Sequence, residues 1–195
     1  AFRGRAGEAA AAIGLDTEFM RRDTFYPKLA LIQVAAGGEC ALVDPLAFDA
    51  APAMRALLEG RLCVMHSASE DMEALGPLLD GTTPELFDTQ IASALCGLGF
   101  GLSYQKLCAI LLDAQIPKDE TRSDWIRRPL SASQLDYAEQ DVAHLHALHA
   151  ALADMLRQRG REAWLAEDCA RLAQRLRRGE GDPQPQRGFR NAAAW

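Results

Sequence analysis

Two acidic residues near the start of the chain, Asp16 and Glu18, have the chemical type and the spacing of metal ligands. They lie in the stretch 13–19, where mostly apolar odd positions alternate with Gly14, Asp16 and Glu18, as in a strand with one buried face. Both carboxylates therefore point to one side, where they repel each other unless a cation is present. Hard oxygen ligands favour Mg²⁺ or Mn²⁺ over Zn²⁺. Two solvated acids on an edge strand would give the same pattern.

Four further side chains are candidates for the same site. Asp71 stands in the first turn of a predicted helix just beyond a strand, where α/β sheets place their sites, although the helix dipole alone also favours an acid there. Tyr137 and Asp141 are spaced i, i+4 on a predicted helix, so they share one side of it. His66, at the end of the preceding strand, has the chemistry of a ligand or base. We expect it to contact the substrate or to hydrogen-bond within the site rather than to catalyse.

Short turns join the first three predicted strands, which indicates an antiparallel meander. The second of these strands is an apolar run that Gln33 interrupts. A fourth strand leads towards Asp71, and a short extended piece then precedes a helix for which Asp88 or Thr89 is the predicted N-cap. The four predicted strands are 13–19, 29–35, 40–43 and 62–65.

Two predicted helices begin with the pattern of a capping box. Ser67 and Glu70 fit it for the helix that carries Asp71, and Ser131 and Gln134 fit it for a long helix ending at Gly160. Steps of three and four residues define a single buried stripe on the long helix. The stripe consists of Leu135, Ala138, Val142, Leu145, Leu148, Leu152 and Met155.

The composition fits a single globular domain. Of the 195 residues, 49% are hydrophobic and 25% are charged, and a chain of this length buries roughly 70% of its unfolded surface. Apolar runs stay well short of the ~20 residues of a membrane span, so we expect a soluble, cytoplasmic protein without a membrane partner. The five scattered cysteines lack Cys-x-x-Cys spacing, which favours core packing over disulfides or zinc.

The net charge of -6 argues against a nucleic-acid partner, because Lys and Arg drive phosphate binding. The charge is unevenly distributed: residues 1–150 hold 12 basic and 21 acidic side chains, and residues 151–195 hold 9 and 6. Bound divalent cations would also reverse the local sign of an acidic site. The missing initial Met, the linker-like stretch 179–185 and the abrupt end lead us to expect a chain cut at both ends.

The candidate residues occur in the order Asp16-x-Glu18, Asp71, Tyr137-x-x-x-Asp141. This order resembles the tyrosine-bearing branch of the DEDD exonuclease superfamily, and the surrounding segments resemble the ribonuclease D family from about residue 14 to residue 178. The segments that carry the likeness are Leu15-Asp16-Thr17-Glu18-Phe19, Leu31-Ile32-Gln33, His66-Ser67-Ala68-Ser69-Glu70-Asp71, Asp88-Thr89-Gln90, Glu120-Thr121-Arg122-Ser123-Asp124-Trp125 and Tyr137-Ala138-Glu139-Gln140-Asp141.

The resemblance implies an α/β fold of the ribonuclease H-like class. Its mixed five-stranded sheet would have the first three strands antiparallel and helices on both faces. Residues 1–178 would form the 3′-to-5′ exonuclease domain. Residues 179–195 would be a linker and the stub of a truncated helical region, which in the family consists of HRDC domains.

The resemblance also implies the chemistry. Asp16, Glu18, Asp71 and Asp141 would hold two divalent cations, Mg²⁺ or Mn²⁺, about 3.5 to 4 Å apart. Asp16 would bridge both ions, Glu18 and Asp141 would bind the ion on the nucleophile side, and Asp71 would serve the other. Tyr137 would orient the attacking water. The expected protein is a monomer that releases nucleoside 5′-monophosphates from RNA 3′ ends, with tRNA precursors as substrates.

Basic residues around the acidic pocket would hold the RNA backbone, and Arg122, Arg127, Arg128 and the final helix are the candidates. Two other functions fit the same family pattern. A DNA-directed 3′-to-5′ exonuclease would differ in its contacts to the sugar. A catalytically silent RNA-binding module would be expected to lack one of the acids or the tyrosine, and this chain has them all. An unrelated metal phosphatase would leave the tyrosine unexplained.

Overall fold

The computed structural model describes residues 12–21, 26–82, 84–117, 120 and 123–177. They form a mixed sheet of five strands in the order β3-β2-β1-β4-β5. β1 pairs antiparallel with β2 and β2 with β3, whereas β4 runs parallel to both β1 and β5. The expected sheet is therefore confirmed; the predicted linker and stub, 179–195, lie outside the described residues. The strands are β1 (Ile13–Met20), β2 (Lys28–Ala36), β3 (Glu39–Val43), β4 (Leu62–Met65) and β5 (Glu85–Asp88).

Helices cover both faces of the sheet. On one face, a Cβ added to Gly14 of β1 would lie 3.3 Å from the Leu145 side chain of α6, so glycine permits this close approach. On the other, Thr17 of β1 contacts Asp71 of α2. Within the described residues, each helix is too short or too polar for a membrane span. The helices are α1 (Ala51–Leu58), α2 (Ser69–Leu79), α3 (Thr89–Leu95), α4 (Tyr104–Leu112), α5 (Ala132–Ala143), α6 (Leu145–Arg159) and α7 (Glu162–Arg177).

β1 lies at the centre of the sheet and of the core. Ile13, Leu15 and Thr17 are buried, as the alternating pattern predicts. Phe19 is only half-buried, because the register with β2 shifts between Glu18 and Phe19 and the alternation ends there. Four of the five cysteines are buried and unpaired, in agreement with the predicted core packing, while Cys40 is exposed.

The capping predictions have different outcomes. The box of Ser131 and Gln134 is confirmed, since each side chain bonds the backbone N–H of the other residue. The box of Ser67 and Glu70 is wrong, because α2 begins one residue later and Ser67 adopts a φ of 60°. Local spacing resembled a cap, but the backbone just before α2 is held instead by a carboxylate distant in sequence.

That carboxylate is Asp88, at the end of β5. It accepts hydrogen bonds from the backbone of Ser67 and Ala68 at 3.2 and 2.9 Å, just before α2. It also caps α3, as predicted, by accepting from the N–H groups of Gln90 and Ile91 at 2.8 and 3.1 Å. One buried side chain therefore fixes the starts of two helices beside the end of β4.

The predicted long helix is two helices, with a break at His144 (φ -107°, ψ 0°) between α5 and α6. At this break the hydroxyl of Tyr104, the first residue of α4, accepts from the His144 N–H and donates to the Gln140 carbonyl. Of the predicted stripe, Leu135 is 41% exposed, whereas the positions from 138 to 152 are buried. The apolar pattern continues through the break, which is why the sequence suggested one helix.

Candidate active site

A cavity of about 270 Å³ opens beside the carboxyl half of β1. Its walls come from elements that are far apart in sequence: β1, the segment after β4, the start of α3, the start of α4, and α5. Most of its lining side chains are polar, and two of them are tyrosines. The lining residues are Asp16, Thr17, Glu18, His66, Ser67, Gln90, Ser103, Tyr104, Gln105, Tyr137 and Asp141.

Three of the four predicted metal ligands converge in this cavity. Asp16, Glu18 and Asp141 each offer a carboxylate oxygen, and these oxygens lie within 4.8 Å of one another. The alternation of β1 places the first two on one face, and α5 crosses that face to deliver the third. This spacing is compatible with shared coordination of a hard divalent cation.

The fourth predicted ligand, Asp71, approaches from the α2 side. Its Oδ1 accepts a hydrogen bond of 2.6 Å from the Thr17 hydroxyl, and residue 17 points away from residues 16 and 18. Asp71 stands outside the three-carboxylate group. Its negative charge nevertheless raises the pKa of Asp16, Glu18 and Asp141, so it belongs to the same electrostatic environment.

The carboxylates of the site are poorly solvated and close to like charges. Burial, and then the charges of Asp141 and Asp71, raise the pKa of Glu18 to about 9. Burial and the neighbouring acids raise the pKa of Asp16 well above its ordinary value. Mainly through burial, the pKa values of Asp71 and Asp141 rise to about 7. Carboxylates held this close together repel one another. A divalent cation bound among them would offset the repulsion and favour the ionised form of each carboxyl group.

Tyr137 lies beside Asp141, where its position one helical turn earlier predicts it. Its hydroxyl hydrogen-bonds to the Asp141 carboxylate and lowers the pKa of that group, partly opposing the effect of burial. Its ring packs 6.0 Å from the ring of the buried Trp125. A phenol on the cavity wall, held at the ring and at the hydroxyl, is placed to bind water or a phosphate oxygen.

His66 lines the cavity, but both of its ring nitrogens bond to protein atoms. Nε2 lies 3.0 Å from the carbonyl oxygen of Leu102, and Nδ1 lies 2.9 Å from Oγ1 of Thr89. Burial lowers the pKa of His66, and the Thr89 hydroxyl that it contacts also donates to the Met65 carbonyl at 3.0 Å. Gln90 also donates to the Leu102 carbonyl, at 2.9 Å. His66 therefore anchors the cavity wall; a direct contact with substrate stays a prediction.

The three arginines predicted to bind phosphate differ in their positions and in their contacts. Arg122 lies outside the described residues, and Arg127 is exposed and stands apart from the cavity lining. Arg128 donates twice to the Asp44 carboxylate, at 2.6 and 2.8 Å, and three times to backbone carbonyls, including that of Ala30. Its five N–H donors are thus engaged within the protein, and phosphate binding by Arg128 stays a prediction.

Sequence reasoning assigned no role to several side chains at the site. Thr17 bonds to Asp71, and Tyr104 reaches the junction of α5 and α6. Gln33 is fully buried opposite Asp16 in the register of β1 and β2, and its amide atoms have no hydrogen-bond partner among the described residues. Its polar side chain within an apolar run was the available sequence signal.

The sheet order, the antiparallel first three strands and the carboxylates beside β1 define a ribonuclease H-like nuclease fold. The model of the 3′-5′ exonuclease family matches residues 5–157, and the chain belongs to that family.

Ribonuclease D proteins are similar to this chain in sequence and in structure. The one from Xanthomonas oryzae is 46% identical over 188 residues, covering 93% of this chain and 51% of that protein. The solved ribonuclease D of Escherichia coli has a TM-score of 0.81 at 32% identity and covers 92% of this chain and 48% of its own. The chain therefore spans about half the length of these relatives.

A second similar protein matches nearly end to end. Structures of NrnC from Brucella melitensis, with bound Mg²⁺ and bound to pGG, have TM-scores of 0.75 and 0.76 at 27% identity. Each covers 94% of this chain and 89% of its own. The fold of the described residues thus occurs in proteins about as long as this chain and in proteins twice as long.

Proposed function

We propose that this chain carries the active site of a metal-dependent 3′-to-5′ exoribonuclease of the ribonuclease D type. The observation that carries the proposal is the group of three carboxylates, Asp16, Glu18 and Asp141, with the Tyr137 hydroxyl bonded to the last. Membership of the 3′-5′ exonuclease family and the Mg²⁺-bound structure of the similar NrnC support it. The product would be a nucleoside 5′-monophosphate, released from an RNA 3′ end.

Asp16, Glu18 and Asp141 would hold divalent cations, Mg²⁺ or Mn²⁺, and Asp71 would complete a two-ion site from the α2 side. Once bound, such cations lower the pKa of water and stabilise negative charge on a reacting phosphate. The Thr17 hydroxyl, at 2.6 Å from Asp71, holds that carboxylate in one orientation. Because each acid lies on a helix or strand packed into the core, little reorganisation is needed at the moment of reaction.

Tyr137 would orient the attacking water. A phenol hydroxyl can both donate and accept a hydrogen bond, so it can hold a water molecule in a fixed direction. The bond to Asp141 and the packing on Trp125 restrict the hydroxyl to the edge of the carboxylate group. Orientation of a reactant by a fixed group is a large source of rate acceleration.

The cavity suits a chain end more than the middle of a duplex. Its volume of about 270 Å³ is just below the usual range of small-ligand pockets, and its polar walls suit a sugar-phosphate unit. A single-stranded 3′ end also limits how much polyanion must approach an acidic protein. The solved Escherichia coli ribonuclease D is described as an exoribonuclease involved in structured RNA processing, which supports structured RNA as the substrate class; tRNA precursors and a cytoplasmic location complete the proposal.

The test is a time course on a 3′-tailed RNA labelled at its 5′ end, with the same sequence as DNA in parallel. Reactions contain Mn²⁺, Mg²⁺ or a chelator, and Asp16→Asn is the matched control. We expect a ladder shortening by one nucleotide from the 3′ end, only with metal and only in the wild type, with RNA degraded faster than DNA. Faster degradation of DNA than of RNA would favour a DNA-directed 3′-to-5′ exonuclease. Intact RNA in every lane, from protein shown to be folded, would refute the proposed exoribonuclease activity.

A further inference from the structure

Tyr104 interrupts one backbone hydrogen bond of an otherwise continuous helix. In an α-helix the N–H of His144 would donate to the carbonyl of Gln140, four residues earlier. Instead the His144 N–H donates to the Tyr104 hydroxyl at 3.0 Å, and that hydroxyl donates to the Gln140 carbonyl at 3.2 Å. The phenol oxygen thus stands between the two backbone groups and separates α5 from α6.

The position of Tyr104 is firmly determined. It is the first residue of α4, is only 6% exposed, and lines the acidic cavity. The ring of His66 packs against it edge to face, with centroids 5.7 Å apart. His66 is itself held by Leu102 and Thr89, so the phenol belongs to a rigid wall.

The break matters because the two helices on either side have separate tasks. Leu145, at the start of α6, packs against Gly14 and lies in the core with Leu148. Asp141, in the last turn of α5, reaches towards the acids of β1. A straight helix could not change direction between residues 141 and 145. The residue that makes the break therefore sets where the Asp141 carboxylate lies.

We propose that Tyr104 is a positioning residue for Asp141: its hydroxyl fixes the break at His144 and so aims Asp141 at Asp16 and Glu18. The inference rests on the proposed function, since it concerns the same metal site. Tyr104 acts through the backbone of residues 140 and 144, to which its hydroxyl is hydrogen-bonded.

The test compares Tyr104→Phe with Leu107→Val. The first removes only the hydroxyl, so the Gln140 carbonyl and the His144 N–H lose the group that separates them, and we expect Asp141 to move. The second removes one methylene from a fully buried residue of the same helix and leaves the break intact. Mn²⁺ binding is measured without RNA, by the electron paramagnetic resonance of the free ion, and thermal melts are recorded for both variants.

For Tyr104→Phe we expect Mn²⁺ binding about tenfold weaker, the usual scale for a group that orients a metal ligand. Excess Mn²⁺ should restore most of the rate, with the KM for RNA within twofold of wild type. Leu107→Val should melt at a lower temperature with unchanged Mn²⁺ affinity. Equal Mn²⁺ binding by Tyr104→Phe and wild type, or an equal loss in Leu107→Val, would overturn the inference. Absence of Mn²⁺ binding by the wild type would instead refute the proposed function.

A second measurement covers the case in which Tyr104→Phe does not fold. The chain has three tyrosines, so wild-type protein labelled with 3-fluorotyrosine gives three fluorine resonances. Assignment uses Tyr26→Phe and Tyr137→Phe. We expect the Tyr104 resonance to shift when Mg²⁺ is added, because Asp141 and the attached turn settle around the ion. A Tyr104 resonance that stays in place while Mg²⁺ binds would count against the inference.

Discussion

Two cavities of this molecule differ in size and in chemistry, and the smaller one holds the potential metal-binding group. The larger, about 580 Å³, lies between β5, α6 and α7 and is lined mainly by apolar side chains such as Phe87 and Leu165. The smaller, about 270 Å³, contains the acids of β1 and α5. Glu85, Glu162 and His149 line the larger one, yet among the described residues only Asp16, Glu18 and Asp141 form a potential metal-binding group.

This difference indicates that a cluster of like-charged side chains is a better guide to a candidate active site than the volume of a cavity. An apolar groove costs a folded protein little. Buried carboxylates that repel one another weaken the fold unless something binds there, as the raised pKa values of Asp16 and Glu18 indicate. We therefore expect substitutions in the acidic cavity to affect activity far more than substitutions in the apolar one.

The largest effect is expected from Asp16→Asn, which removes the carboxylate at the centre of the acidic group. Cations supply several kcal/mol of transition-state stabilisation, and about 1.4 kcal/mol is a factor of ten, so turnover should fall at least about a hundredfold. The variant should remain folded, since a like charge is removed. Single-turnover rates with RNA measure the loss, and circular dichroism verifies the fold. A rate near that of wild type would remove Asp16 from the site.

The second-largest effect is expected from Tyr137→Phe. The ring keeps its packing on Trp125, but the hydroxyl that bonds to Asp141 is lost. We expect kcat to fall about ten- to a hundredfold because the water is less well oriented, with little change in Mn²⁺ affinity. Rates measured at saturating Mn²⁺ separate the two quantities. If kcat is unchanged, Tyr137 has no part in the mechanism.

The metal-free protein should lose stability as pH rises. Folded-state pKa values of about 7 for Asp71 and Asp141 and about 9 for Glu18 lie above the unfolded values near 4, so between pH 4 and 9 the folded state binds more protons. Unfolding free energy then decreases with pH across this window. Below it, Asp44 acts oppositely, because hydrogen bonds from Arg128 lower its pKa.

Thermal melts in chelator at pH 5 and pH 8 measure this dependence. The protein should melt lower at pH 8, and Mn²⁺ should raise the melting temperature more at pH 8 than at pH 5. The Asp16→Asn variant is the control, because fewer repelling acids should flatten the pH dependence. A melting temperature that increases from pH 5 to pH 8 without metal would contradict the prediction.

The smallest effect is expected in the larger cavity. Ala166→Leu adds apolar atoms to its exposed rim on α7 and should stabilise the fold by about 0.5 to 1 kcal/mol, as cavity filling commonly does. RNA hydrolysis and Mn²⁺ binding should stay within twofold of wild type. Urea unfolding and the RNA time course provide the two readouts. A large loss of activity would show that the two cavities are coupled after all.

Much of the fold is determined by local sequence. Alternation in β1 and the capping box at Ser131 specify a strand and a helix start, because each depends on residues a few positions apart. The order of acids likewise indicated which side chains belong together, and the structure gathers Asp16, Glu18 and Asp141. The strand and the helix start follow from periodicity and local spacing, whereas the grouping of the acids was implied by the resemblance to a known family.

The remaining features depend on contacts between distant segments. Asp88 bonds to the backbone N–H of Ala68 from 20 residues away, and Arg128 bonds to Asp44 across 84 residues. Neither pairing has a local signature, since the geometry exists only once the sheet has formed.

The sequence by itself indicated four of the five strands, most of the helices, and the acids and Tyr137 of the candidate site. Tertiary structure alone decided that Asp71 faces Thr17, that Arg128 has its donors engaged, and that the helix after Ser131 breaks where Tyr104 enters it. The physical reason is that periodicity is a property of neighbouring residues, whereas the partner of a buried polar group is chosen by the packing of the whole chain.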